Sequence, residues 1–258
     1  MRQEMKILIQ LCIKIFVTAS FLVCFASAQD IDPVLSTDVL VVKMLEHDAQ
    51  REAQLTGYTA TRHYLVVHKR SRAEMKVELT CAGDGVKEFK ILSESGSFAI
   101  RTLVFHRMLK EETEASRPET RKITRITPSN YDFHLMGSDV VDGHPAYVLQ
   151  VAPRHDNKYL IDGKIWVDAD DYSIVRIEGR PARNPSFWTR SVHFVHIYQK
   201  VGPFWLAAST HSVSEIRIYG SAEVTIESSD YVTKTAVDRI NAADHINNDA
   251  NREARIGQ

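Results

Sequence analysis

His193-Phe194-Val195-His196, with His211 further on, is the first place where residue types and spacing could do chemistry. Two imidazoles close in sequence can share a zinc or copper ion if their rings converge. On a strand, residues three apart point to opposite faces, so this pair reads as ordinary strand histidines. Asp168-Ala169-Asp170-Asp171 is the second place. Clustered carboxylates can hold calcium, but the glycine and the distal glutamate of a calcium loop are missing. The run sits where a tight turn should join two strands, and acidic side chains are common there because they accept the turn's own N–H groups. Cys81 is the third, and it continues the alternation Met75, Val77, Leu79. That placement reads as a small buried hydrophobe, not a nucleophile. The chain has no Gly-x-Ser-x-Gly elbow, no phosphate-cradling glycine loop and no dinucleotide fingerprint. These residues point to a protein that binds and is not an enzyme, with no cofactor and no metal.

Asn184-Pro185-Ser186-Phe187-Trp188 puts two large aromatics directly after a proline-rich connection. One reading makes Phe187 and Trp188 the rim of an apolar pocket, since a tryptophan ring is apolar while its N–H can stay wet. In the other they begin the next strand and pack inward. The formal net charge of −1 leaves no basic face for phosphates, which excludes nucleic acid as a partner.

The elements that must position these groups start with an export segment. Met1 to Lys14 holds Arg2, Lys6 and Lys14 against one acid, Glu4. Ile15 to Phe25 then runs without a charge and is followed by Ala26-Ser27-Ala28. A basic start, a short apolar stretch and a small-x-small site describe a secretory signal cut after Ala28, and the stretch is shorter than the ~20 apolar residues of a spanning helix. Val23 stands where a lipidated Cys24 would need a small residue. The expected organisation is a cleaved signal at 1–28, one domain at 29–241 and a polar, frayed tail at 242–258. Cys12 and Cys24 leave with the signal, so Cys81 has no disulfide partner.

Ser36 or Thr37 can cap a helix over 37–54, with Val39, Val42, Leu45 and Ala49 at helical spacing and Gly57 as its stop. Residues 58–69, 73–81 and 87–92 alternate as strands, with Ala82-Gly83-Asp84-Gly85 as a hairpin turn. Residues 97–114 break the alternation. Phe98, Thr102, Phe105 and Leu109 form one stripe, with Ile100, Val104 and Met108 beside it, which makes a wide apolar helix face. From Ser129 onwards strands follow at 131–137, 145–153, 158–168, 172–179, 188–200, 203–218 and 221–233. Short turns between regular strands indicate an antiparallel meander.

Between Lys158 and Glu227 the sequence resembles the outer-membrane lipoprotein-sorting proteins of the LolA-like superfamily, in a divergent branch. The shared feature is Ile165-Trp166-Val167-Asp168, an acidic turn, then Ile174-Val175-Arg176; the NPSFW segment is more particular to the branch. The N-terminal half fits by element order. The resemblance implies an α+β fold, a strongly curved antiparallel sheet forming an incomplete barrel of about ten or eleven strands, with helices covering its concave face. It further implies an apolar cavity for acyl chains and a periplasmic carrier of lipid or lipoprotein, shielding the chains on the way to the outer membrane. An inner-membrane donor and an outer-membrane acceptor would then be its partners, and the carrier would be a monomer. In carrier members an arginine on a strand holds the helical lid shut, and no position here is matched to it. The alternative is an envelope-stress sensor or protein-interaction module on the same fold. The residues expected to line the cavity are Val39, Val42, Leu45, Phe98, Leu103, Val104, Phe105, Met108, Ile165, Val167 and Ile174, with Phe187 and Trp188 at its rim.

The exported protein should begin at Gln29. N-terminal sequencing checks this: a first residue of Gln29 is expected, and a retained Met1 or a lipid on Cys24 would refute it.

Overall fold

The Ser36 hydroxyl accepts the Val39 N–H at 3.3 Å and so satisfies one of the donors that every helix start leaves open. Asp38 lies in the first turn and Arg51 in the last, both matched to the helix dipole. Helix α1 therefore spans Thr37–Gln54. Residues 35–184, 189–217 and 220–238 are described by the computed structural model, and they lie in one compact unit. Phe187, Trp188 and the tail expected at 242–258 fall outside the described residues.

Three strands follow α1: β1 (Leu55–His68), β2 (Ser71–Cys81) and β3 (Lys87–Gly96). Gly57 does not stop the helix. It lies inside β1 at φ +146°, where an added Cβ would meet the Cys81 carbonyl oxygen at 2.8 Å. A helical run comes next, made of α2 (Phe98–Ile100), a π-turn (Arg101–Phe105) and α3 (His106–Ser116), followed by the short α4 (Pro118–Thr124). Pro118 starts α4 at a position whose N–H would have no partner. The remaining strands are β4 (Tyr131–Val141), β5 (His144–Pro153), β6 (Ile161–Asp168), β7 (Ile174–Pro181), β8 (Thr189–Val201), β9 (Phe204–Ile216) and β10 (Gly220–Thr235).

All ten strands form one antiparallel sheet in the order β3-β2-β1-β10-β9-β8-β7-β6-β5-β4. Neighbours in space are neighbours in sequence except where β10 returns beside β1. The sheet is open, with β3 and β4 as its edges, and the helices of residues 98–124 carry the chain from one edge to the other. It is a curved, incomplete barrel with a helical cover. Curvature demands close strand approach somewhere, and Gly163 and Gly179 supply it. They face each other across β6 and β7, and a Cβ at Gly163 would lie 2.1 Å from the Glu178 carbonyl oxygen. No side chain fits there.

Two clusters of the core stand out among the described residues. Tyr64, Val66, Ala73, Met75 and Val77 of β1 and β2 pack against Ile100, Phe105 and Leu109 of the helical run. Ala146, Trp166 and Val175 form the other, with Val141, Val148 and Trp205 against them. Helix α1 buries Leu40, Val41 and Met44. It touches both β1 and β4, and the Leu135 N–H donates to its Thr37 hydroxyl at 3.3 Å. Among the described residues no helix is long and apolar enough to cross a membrane.

Candidate functional site

Between α1 and the sheet runs a row of cavities. The first, of about 510 Å³, is walled by Leu55, Tyr58, Cys81, Phe204 and Trp205 and by the charged groups Arg51, Lys87, Glu112 and Arg121. The second, of about 300 Å³, shares Asp48, Arg51, Glu52, Arg121 and Trp205 with it and adds Met44, Leu45, Ile126, Ile174 and Tyr198. A third, of about 290 Å³, lies at the other end of α1 between Val41, Val42, Leu45, Pro128, Tyr131 and Phe133. Each is near or within the roughly 300–1,000 Å³ typical of small-molecule pockets. At 1.5 Å per residue the helix above them is ~27 Å long.

Glu112 of α3 stands at the wall of the first cavity. Its carboxylate accepts from Arg62 Nη1 at 2.6 Å, from Lys87 Nζ at 2.9 Å and from the Tyr64 hydroxyl at 3.4 Å. Burial alone would raise its pKa, yet Lys87 and Arg62 outweigh burial and bring it down to about 2. Burial opposes the charge on Arg62 too, and Glu112 restores it. The two groups are locked as ions. A general acid or base needs a pKa near the working pH, and this arrangement moves both away from it. Arg62 is thus a strand arginine that pairs with a helix of the cover. Its signal was present: Tyr58, Ala60, Arg62, Tyr64 and Val66 alternate on one face, and Arg62 is the charged member.

Strand β8 contributes His196, whose Nδ1 lies 2.6 Å from the Thr210 hydroxyl of β9, and Tyr198, which borders the second cavity. Burial lowers His196 to about 4 and so keeps it neutral; Tyr198 is pushed up by the same cause. His193 points the other way, with Nε2 3.7 Å from Glu178. Among the described residues no group of three His, Cys, Asp or Glu side chains could hold a metal ion. Asp168 Oδ1 accepts the N–H groups of Asp170 and Asp171, which makes that run a turn. Cys81 is half-buried on the cavity wall, and burial raises its thiol pKa away from reactivity.

Around this site α1 is tied down by charge. Arg125 beyond α4 donates to Asp48 at 2.6 Å and to Glu52 at 3.0 Å, and Arg121 donates to Glu52 at 2.8 Å. Arg51 reaches the Asp171 carbonyl at 3.1 Å, and Lys43 the Tyr172 hydroxyl at 3.0 Å. The clasp to Arg121 and Arg125 is partly exposed, so each of its pairs is worth about 0–1 kcal/mol.

Of the residues expected to line the cavity, Val42, Leu45 and Ile174 border it, Leu45 in both the second and the third of these chambers. Phe105 is fully buried in the β1–β2 cluster, with Val104 and Met108 packed against that cluster. Ile165 and Val167 are fully buried, Val39 is exposed, and Phe98 and Leu103 are 74% and 70% exposed. The wall is also far more charged than an apolar cavity. Sequence reasoning missed Tyr58, Lys87, Glu112, Tyr198 and Trp205.

No protein-family model matches the sequence, and no curated protein matches it. Solved structures do resemble it. A DUF1329-family protein from Desulfovibrio piger matches at 12% identity over 76% of this chain and 92% of its own, with a TM-score of 0.42. A domain described as outer-membrane lipoprotein-sorting, from Vibrio parahaemolyticus, matches at 13% over 76% and 92%, TM-score 0.41. A LolA-superfamily protein from Nitrosomonas europaea matches at 10% over 80% and 97%, TM-score 0.35. Likeness at this depth carries no function across.

The two depressed pKa values set the acid behaviour. Between pH 6.5 and about 4 the unfolded chain protonates His196 and the folded chain does not, so stability falls as pH drops through that window. Between pH 4.5 and about 2 the same holds for Glu112. Urea midpoints measured against pH should therefore fall in both windows. His196→Gln should flatten the upper one, and Glu112→Gln the lower one at reduced overall stability. An unchanged slope in either variant would refute that assignment.

Proposed function

We propose that the chain is an exported carrier that shelters one extended acyl chain of a lipid or lipoprotein between α1 and the sheet. Its mature domain would be residues 29–241 after removal of a signal at 1–28, working in the periplasm and passing its load towards the outer membrane. The observation that carries this reading is the row of cavities along α1, from Leu55 past Leu45 to Val42. Apolar and aromatic side chains recur at every chamber: Leu55, Tyr58, Phe204 and Trp205, then Met44 and Ile174, then Tyr131 and Phe133. Each buried methylene contributes about 0.8 kcal/mol, so a long chain laid along this row needs few polar contacts for tight binding. The partly exposed clasp on α1 suits a cover that must release its load, because little free energy is lost when it parts.

A second reading, a module that binds a protein partner, is favoured by Phe98 and Leu103, large apolar side chains exposed at the start of the helical run.

Trp205 tests the carrier reading, because it borders both the first and the second chamber and donates to Asp171 at 2.9 Å. With Trp166 and Trp188 replaced by Phe, it is the one tryptophan left. A long-chain acyl ligand should shift its emission to the blue and protect it from iodide, and native mass spectrometry should find amphiphile bound after gentle purification. An indifferent Trp205 together with an empty protein would overturn the carrier and leave the partner-binding module.

A further inference from the structure

The helical run that starts at Phe98 has two faces. Ile100, Phe105 and Leu109 enter the core cluster, with Val104 and Met108 packed against it. Between them Ala99, Thr102, Leu103, His106, Arg107 and Lys110 recur at helical spacing, and all six are exposed. Phe98 heads this outer stripe and is as open to water as Leu103. Ile91 of the edge strand β3 pairs with Val77 and so lies on the sheet face that carries the run; it too is exposed.

The charge of the stripe has one sign. Residues 98–110 hold Arg101, Arg107 and Lys110 and no aspartate or glutamate. Arg101 lies over the Phe98 ring, 5.9 Å from its centre. The neighbouring acids are already engaged: Glu111 by Lys158, Glu112 by Arg62 and Lys87, and Glu114 by Arg117. Glu94 of β3 lies 3.4 Å from His106.

We infer that this stripe docks the protein on an anionic lipid surface. Phe98 and Leu103 enter the acyl boundary, and Arg107 and Lys110 face the lipid phosphates. A helix that lies in a membrane interface combines bulky apolar groups with lysine and arginine in this way, and anionic lipids attract such cations. A protein partner is gripped through pockets that take its anchor side chains. Here the apolar groups project outwards, and no residue of 98–110 walls any of the three chambers. A fluid lipid surface closes around projecting side chains and needs no pocket. The buried face fixes the run, so the outer residues are presented without further ordering. This inference does not depend on what the cavities hold.

Co-sedimentation of the exported protein with vesicles reads the docking. One set is phosphatidylcholine alone, the other equimolar phosphatidylcholine and phosphatidylglycerol. The wild type should partition about tenfold more strongly, or better, into the anionic set, and salt should remove most of that preference. Arg107→Gln with Lys110→Gln should bring the two sets to within about threefold of each other. Phe98→Ser with Leu103→Ser should cut partition into both about tenfold. All four side chains are exposed, so both variants should keep the wild-type urea midpoint and Trp205 emission, which separates lost docking from a lost fold or cavity. An anionic preference that survives the first variant, or unchanged partition in the second, overturns the inference. So does a wild type that stays in solution with both sets, which leaves the stripe to the protein partner of the second reading.

Discussion

Glu112 belongs to a helix, Arg62 to a strand 50 positions earlier, and Lys87 to the start of another strand. A charged carboxylate cannot stay in that enclosed position without them, because an unpaired buried charge costs far more than any single packing contact contributes. The helix can therefore sit over the sheet only where both cations reach it. That constraint places α3, and α3 walls the first chamber. Replacing one partner of such a pair costs about 3–5 kcal/mol, although the intact pair adds little net stability over an apolar equivalent. The ion pair thus selects one closed arrangement more than it deepens the folded state.

Two kinds of fastening hold the cover, and they differ in strength. On the β1–β2 side, Phe105 and Leu109 are buried in a core cluster beside the Arg62–Glu112 pair. On the α1 side the buried Leu40, Val41 and Met44 are joined by the clasp of Asp48 and Glu52 with Arg121 and Arg125, which is partly open to water. Salt and water weaken the clasp and barely reach the Arg62–Glu112 pair.

Much of the framework was legible in the sequence because local rules decide it. Ser36 and Asp38 mark the start of α1, alternation marks the ten strands, and Asp168 to Asp171 reads as a turn. The cavity was not legible, for two physical reasons. The π-turn at Arg101–Phe105 inserts an extra residue into the helical count, so a stripe extrapolated from Phe98 does not stay on one face. The structure accordingly buries Ile100, Phe105 and Leu109 and leaves Phe98 and Leu103 outside. The second reason is distance. Lys87 meets Glu112 across 25 positions and Arg125 meets Asp48 across 77, and no window of sequence shows that these charges will converge. The one clue was Arg62, a charge standing in an otherwise apolar alternation.

Amide hydrogen exchange of Arg62→Met against the wild type tests most directly whether this ion pair holds the cover to the sheet. The account predicts faster exchange over His106–Ser116 and the turn before it, with β5, β6 and β7 unchanged. Exchange that is unaltered over His106–Ser116, or that rises equally throughout the molecule, would contradict it.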